Sequence, residues 1–503
     1  MIKRFTKLLP LLAIMAVIWL PSSLSADQDT DTRLDPEQRV IFKSDDLSGT
    51  SRKLGSTDLR VDSVKALQKN SSDKVEIYPV LPYQTSLEAN DPLEPQGYLE
   101  LLNAADMWDL STGSSDLSVA VIDTGFALEH EDLVDRWFIN QGEFGPTATE
   151  GIAPNCTSRG LDLDKSCNNL DDDGKGFVDD WRGWDFANDD NLPLAGDVNP
   201  EGEAVAHGTV VAGMVGLTGN NDIGAASINW GVKLLPLQVF TDEGAASTVE
   251  LVEAIDYAMT IGVDVINLSL GSAGFDGAVD EILDDAIAAG VIVVAAAGNC
   301  GGEFYVENGC NEEGQMLYPA SSDKTIAVGA TNLSDEQAGF SSRGSQLDVM
   351  APGSGSIKSS LYTAGDQTSA YTGSVQGTSF SSPIVSGLVA HLLEAWPEAN
   401  LADIRSMLID TTVKPSGMSG KVFNTSFGFG RVRPLEAYQR AELCAVEKLS
   451  ADINCDGVVN LLDLSVLASQ WGINRTGRSD INSTDGTNLL DLSILASQWG
   501  QSQ

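Results

Sequence analysis

Short apolar runs alternate with amphipathic stretches along most of this chain. Segments 117–122, 233–240, 263–268, 291–297 and 325–328 are dominated by Val, Ile, Leu and Ala. Runs of that length and composition fit strands buried on both faces. Between them, 248–261 and 277–289 carry apolar residues at helical spacing. A stronger stripe follows, in which Ile384, Val385, Leu388, Val389, Leu392, Leu393 and Trp396 mark one face of a helix. Pro383 suits its first turn, where the missing N–H has no intrahelical partner to lose. Strand-helix-strand alternation predicts an α/β fold, a parallel β-sheet flanked by helices on both faces.

The two ends differ from this block. Lys3-Arg4, an apolar run from Leu8 to Leu20, and small or polar residues through Ser25-Ala26 have the layout of a secretory signal peptide, residues 1–26. The run is shorter than the roughly 20 residues a membrane span needs. A polar stretch, 27–90, holds the short apolar segments Arg39–Lys43 and Lys74–Tyr78. The main block is then 91–441. The remainder, 442–503, repeats itself: NLLDLSVLASQWG from Asn460 returns as NLLDLSILASQWG from Asn488. Two copies are too few for a solenoid, and predict a small paired-motif domain.

Charge and cysteines narrow the setting. The 503 residues carry 72 Asp and Glu against 30 Lys and Arg, a formal net charge of −42. That field disfavours nucleic acid as a partner. Six cysteines fall in local pairs, Cys156/Cys167, Cys300/Cys310 and Cys444/Cys455. In an exported protein this favours loop-closing disulfides among the 15 possible pairings. No Cys-x-x-Cys or neighbouring histidine supports zinc.

Three segments carry candidate chemistry. Asp123 ends the run 117–122 and precedes Thr124-Gly125, at the carboxyl end of a predicted strand, where open α/β sheets place their sites. His207 opens the small-residue pattern Gly208-Thr209-Val210-Val211-Ala212-Gly213. Ser379 lies in Gly377-Thr378-Ser379 before the periodic helix, with Ser381 and Ser382 as local rivals. A nucleophile, a base and a group that orients the base are what acyl transfer requires. Each residue alone reads more simply as a turn, a helix start or a cap. However, the chain has only three histidines. His130 sits in a polar turn and His391 within an apolar helix, so His207 has little competition. Asn299, after the run 291–297, adds an amide donor able to stabilise an oxyanion.

With those segments in order, the block 91–441 resembles a subtilisin-family serine peptidase (a subtilase). The matching residues are Val119 to Gly125, His207-Gly208-Thr209, Ala297-Gly298-Asn299 and Gly377 through Pro383, with Asn267 to Gly271, Tyr318-Pro319-Ala320 and Met350 to Gly353 as further landmarks. The order Asp, His, Ser is the subtilisin order. The resemblance implies a subtilisin-like three-layer sandwich in which Ser379 attacks, His207 shuttles the proton, Asp123 orients the imidazole and Asn299 holds the oxyanion. It also implies that Ser269, Leu270 and Gly271, with Ala297 and Gly298, bind substrate as an added strand. Val210 departs from the family, which often has a second histidine there. The stretch 27–90 resembles a short inhibitory propeptide, giving a mature start near Thr85–Asp91. The Cys300–Cys310 loop, with Glu303, Glu307, Glu312 and Glu313, is expected to border the pocket for the residue before the scissile bond.

Acidic loops predict structural calcium. In 169–180, Asn169, Asp171, Asp173 and Asp180 fall at positions 1, 3, 5 and 12, with Gly174 at position 6. That spacing wraps a chain around a hard cation. The tail does the same with Asp452, Asn454, Asp456, Asn460 and Asp463, and again from Asp480 through Asn482 and Asn488 to Asp491. In this second loop Thr484 replaces the position-5 carboxylate. The tail resembles a type I dockerin, which implies calcium-dependent docking to a cohesin-like module. Leu464, Leu467, Trp471 and their copies are expected to form its core or its partner face.

Overall fold

A computed structural model describes residues 87–147, 164–195, 207–445, 461–469 and 489–499, apart from a few positions within them, together with Val459 and four strands between 39 and 78. The proposed signal peptide, Cys156, Cys455, Glu307, Asp452, Asn454, Asp456, Asn460, Trp471, Asp480, Asn482 and Asn488 lie outside the described residues.

The chain divides into two compact units, Met1–Thr85 and Ser86–Gln503. The first holds strands β1 (Arg39–Lys43), β2 (Arg52–Lys53), β3 (Leu59–Ser63) and β4 (Glu76–Tyr78). They form an antiparallel sheet in the order β2-β3-β1-β4.

The second unit opens with two short helices, α1 (Gly97–Leu101) and α2 (Ala104–Trp108). Its strands are β5 (Ser118–Asp123), β6 (Trp184–Asp185), β7 (Lys233–Gln238), β8 (Val265–Leu268), β9 (Ile292–Ala296), β10 (Ile326–Asn332), β11 (Val349–Gly355), β12 (Ser360–Thr363), β13 (Asp366–Tyr371) and β14 (Val375–Gln376). The longer helices are α3 (His207–Gly216), α4 (Thr248–Ile261), α5 (Gly277–Ala288), α6 (Ser382–Ala395), α7 (Leu401–Asp410) and α8 (Pro434–Cys444). Two more, α9 (Leu461–Ser469) and α10 (Leu489–Gln498), coincide with the sequence repeat.

Eight strands form the main sheet, in the order β14-β11-β10-β9-β8-β5-β7-β6. Every pairing from β11 to β6 is parallel, and only β14 runs antiparallel. Successive residues of a strand face opposite sides, and β5 shows it. Val119 and Val121 join a core with α3, α6, α7 and α8, while Ala120 and Ile122 join another with α4 and α5. This is the predicted parallel sheet between two helical layers.

Local chemistry sets the helix ends. Ser247 and Glu250 form a capping box at the start of α4, and Gly262 closes it at φ 86°. Asp276 accepts two backbone N–H bonds at the start of α5. Such caps are each worth about 1 kcal/mol. α6 departs from the one-faced helix read in the sequence, because every residue from Ser382 to Leu393 is buried. Its second face is made of small or polar residues: Ser382 and Ser386 bond the Asn267 side chain, a Cβ on Gly387 would lie 2.7 Å from the Val215 carbonyl oxygen, and His391 meets the Ile228 carbonyl.

Candidate active site

Three elements converge on one end of the parallel sheet. Asp123 is the last residue of β5, His207 the first of α3, and Ser379 lies in the 3-10 turn Thr378–Phe380 leading into α6. Asp123 is 1 % exposed, and its Oδ1 accepts from the Thr124 N–H at 2.7 Å. His207 Nδ1 lies 2.7 Å from the same oxygen. A carboxylate bonded to Nδ1 leaves the other ring nitrogen to face a reactant. The start of α3 is locked to this turn by the Gly208 N–H, which donates to Thr124 Oγ1 at 2.8 Å. A side chain at 208 would put its Cβ 2.4 Å from the Thr124 carbonyl oxygen, so glycine is required there. Val210, at the departure from the family pattern, is buried in the core behind His207.

Burial separates the three candidate serines. Ser381 and Ser382 are fully buried, and Ser381 Oγ donates to the Ala351 carbonyl at 3.0 Å. Ser379 is only partly buried, next to Phe380, whose ring lies 5.5 Å from that of His207. Ser379 Oγ donates to the Ser269 carbonyl at 3.2 Å. Gly377, at φ 154°, supplies the backbone conformation that admits this turn. The other histidines are structural: His130 Nε2 meets the Ala370 carbonyl at 2.8 Å, and His391 Nε2 meets that of Ile228 at 3.1 Å.

Asn299 follows β9 and is oriented by the residue before Ser379. Its Oδ1 accepts from the Thr378 N–H at 2.9 Å and from Thr378 Oγ1 at 3.1 Å. Thr378 Oγ1 in turn accepts from the Gly298 N–H at 3.1 Å. With its oxygen committed to Thr378, the amide turns its NH2 toward the Gly377–Ser379 bend, where an oxyanion donor belongs. Thr378 was not singled out in the sequence; it earns its place through this tertiary contact.

The residues expected to bind substrate border the same bend. Ser269 is buried, Leu270 half-buried and Gly271 exposed, while Ala297 and Gly298 are buried. Leu317, also unforeseen, lies against both edges: a Cβ on Gly271 would sit 2.8 Å from its Cβ, and one on Gly298 2.6 Å from its Cγ. The Cys300–Cys310 disulfide is formed. Cys167 and Cys444 are also disulfide-bonded, with partners outside the described residues. Of the acidic residues near the Cys300–Cys310 loop, Glu303 and Glu312 are exposed and Glu313 is paired with Arg343. The side chain between the two glycine edges is therefore apolar.

A second cluster joins Glu143 to the loop 169–180. Glu143, Asp171 and Asp173 each bring a carboxylate oxygen within 4.8 Å of the others. Glu143 is fully buried, and its Oε2 meets no hydrogen-bond donor among the described residues. Burial, with the charges of Asp180 and Asp173, pushes its carboxyl up to about 7. Oxygen donors of this kind fit a hard divalent cation. Asp171 takes the N–H groups of Gly174, Lys175 and Gly176. Asp180 is engaged differently: its Oδ2 accepts from Tyr257 at 2.5 Å, and its Oδ1 from Asn140 at 3.1 Å. Asn169 gives its N–H to Asp179. Glu143 had no local signal, since it lies far along the chain from the loop it joins. In the tail, Asp463 is buried in the first turn of α9. Leu464 and Leu467 pack with Leu492, Leu495 and Val459, while Trp499 is exposed.

This sheet, with an Asp–His pair at a strand end and a serine before a buried helix, is the framework of a serine hydrolase. Residues 114–430 match the subtilase family, and the chain belongs to that family. It is 37 % identical to subtilisin amylosacchariticus of Bacillus subtilis subsp. amylosacchariticus over 215 residues, 43 % of this chain and 52 % of that one. It is 30 % identical to halolysin of Haloferax mediterranei over 372 residues, 74 % of this chain and 56 % of that one. The chain thus spans about half the length of these curated relatives. A solved protease from Pseudoalteromonas arctica superposes with a TM-score of 0.53 at 26 % identity, covering 70 % of this chain and 99 % of that one. Among the described residues no helix is long and apolar enough to cross a membrane.

Proposed function

We propose that this chain is a secreted serine endopeptidase that cleaves extended peptides through an acyl-enzyme. The observation that carries the reading is the His207–Asp123 pair at 2.7 Å, with the His207 ring against Phe380, which follows the partly buried Ser379, and Asn299 bonded to Thr378, which precedes it. Ser379 Oγ attacks the scissile carbonyl while His207 accepts its proton, and Asp123 stabilises the imidazolium. The oxyanion then forms against the Asn299 amide and the Ser379 backbone N–H. His207 returns the proton to the departing amine, and water repeats the sequence on the ester. Residues 269–271 pair with substrate backbone, and Leu317 favours an uncharged side chain before the scissile bond. A fluorophosphonate should label the wild-type protein at Ser379. Wild-type labelling and peptide hydrolysis that persist in both Ser379→Ala and His207→Ala would refute the assignment.

In this reading residues 1–26 direct export, 27–90 restrain the enzyme before self-cleavage, and 91–441 form the peptidase. The boundary between the compact units at Thr85/Ser86 supports a cut near there. Glu143, Asp171 and Asp173 would hold a structural calcium ion, supported by the buried, unpartnered Glu143 oxygen. Residues 442–503 would form a dockerin-like module, supported by the packing of the duplicated helices α9 and α10. Capture of the full chain by a cohesin in calcium, reversed by a chelator, is expected. No capture with the module folded would leave it a structural appendage.

A further inference from the structure

Behind Ser379 lies a buried polar network that the reaction itself does not use. Asn267 is on β8, and Ser269 follows two residues later, just past the end of that strand. It is fully buried, as are Ser382 and Ser386 in the first turns of α6, and Ser269 is 5 % exposed. Asn267 Oδ1 accepts from Ser382 Oγ at 2.8 Å and from Ser386 Oγ at 2.9 Å. Its Nδ2 donates to Ser269 Oγ at 3.0 Å. Ser269 Oγ then donates to the Ser379 carbonyl at 2.8 Å, while Ser379 Oγ donates to the Ser269 carbonyl at 3.2 Å.

One direction satisfies every member of this chain. Each hydroxyl has one proton to give. That of Ser382 goes to Asn267, that of Ser386 is shared between Asn267 and the Ser382 carbonyl at 3.2 Å, and that of Ser269 goes to the Ser379 carbonyl. The Ser269–Ser382 approach at 3.2 Å is then a contact between two hydroxyls whose protons are already committed. The two ends of one amide therefore do different work. Its oxygen fastens the start of the helix that follows the nucleophile. Its nitrogen fixes the hydroxyl that holds the nucleophile's own peptide unit.

We propose that Asn267 is a positioning residue for Ser379, setting the nucleophile's backbone against the edge that receives substrate. This rests on the assignment of Ser379 above. The Ser379 N–H and Oγ must meet one tetrahedral centre, and an error of about 1 Å in such a centre can cost about 100-fold in rate. Nothing short of a side chain with both an acceptor and a donor spans the two arms. Aspartate keeps the acceptor for Ser382 and Ser386 but has no proton for Ser269.

The test is Asn267→Ala and Asn267→Asp in the full chain, with competent sites counted by fluorophosphonate titration. Rate constants per competent site are then read on a short peptide ester, alongside thermal unfolding. Both variants are expected to lose about 10- to 100-fold in kcat per site with KM within about threefold. Asn267→Asp should hold the loss even where its unfolding temperature stays near wild type. A wild-type kcat per titrated site in either variant, with only stability or site number reduced, overturns the proposal and leaves Asn267 a structural residue. If neither folds, Ser382→Ala decides, since it cuts one arm only; a lowered kcat per site supports positioning and an unchanged one overturns it. Failure of the Ser379 assignment shows separately, as labelling that survives Ser379→Ala.

Discussion

His207 stands between opposing influences. Burial alone would lower its pKa, but the charge and hydrogen bond of Asp123 outweigh that and hold it above the ordinary imidazole value. The unfolded value is near 6.5. A raised folded value means that the pair stabilises the fold fully below the unfolded pKa, and that this contribution is lost as pH rises through the folded one. Activity runs the other way, because only neutral imidazole accepts the serine proton. The acid limb of kcat/KM on a peptide substrate should therefore lie above pH ~6.5. Asp123→Asn should move that limb down and cost on the order of 10⁴-fold in kcat; an unmoved limb would mean that another group titrates. At this scale the sequence was informative where a residue closes an element. Asp123, His207 and Asn299 sit at ends that apolar runs announce. Glu143 and Leu317 sit where only packing brings them, so no local pattern marked them, while Thr378 lay within the Gly377–Pro383 motif with no role of its own.

The elements that position the site follow from their own sequences to different degrees. α4 spans the predicted 248–261 because a capping box opens it and a left-handed glycine closes it. β9 is apolar throughout, and β5 and β8 are so apart from Ser118, Asp123 and Asn267, so their burial between two helical layers follows. β11 reads poorly as a strand, with Pro352, Gly353 and Gly355 within Val349–Gly355. Its conformation comes from parallel pairing with β10 and from the bend that brings Gly353 against Gly377. The β12–β13 hairpin is similarly silent in the sequence, being rich in Ser and Thr without alternation. Tertiary contact explains it: Ser359 and Ser360 donate to the carbonyls of Val210 and Thr209, backing the helix that begins with His207. The same rule holds for α6, whose polar face was invisible as a face because it is defined by Asn267 on another element.

For the whole molecule, a net charge of −42 opposes compaction through self-repulsion. That repulsion is long-ranged, with a screening length of about 10 Å at 0.1 M salt and about 3 Å at 1 M. The Glu143–Asp171–Asp173 cluster is the same problem concentrated at one point, with one of its carboxylates buried. General screening barely reaches such a group, whereas a bound cation neutralises it directly. The two effects should separate in thermal unfolding of the Ser379→Ala protein, where self-digestion does not intervene. Sodium chloride should raise the unfolding temperature gradually in wild-type and Glu143→Gln backgrounds alike. Calcium at about 100 times its Kd should add about 2.7 kcal/mol, a rise of a few degrees that a chelator removes. Glu143→Gln should lose most of that calcium increment while keeping the salt response. An increment unaffected by Glu143→Gln would place the responsive calcium elsewhere in the chain, and the absence of any increment would make the cluster a site for no calcium at all.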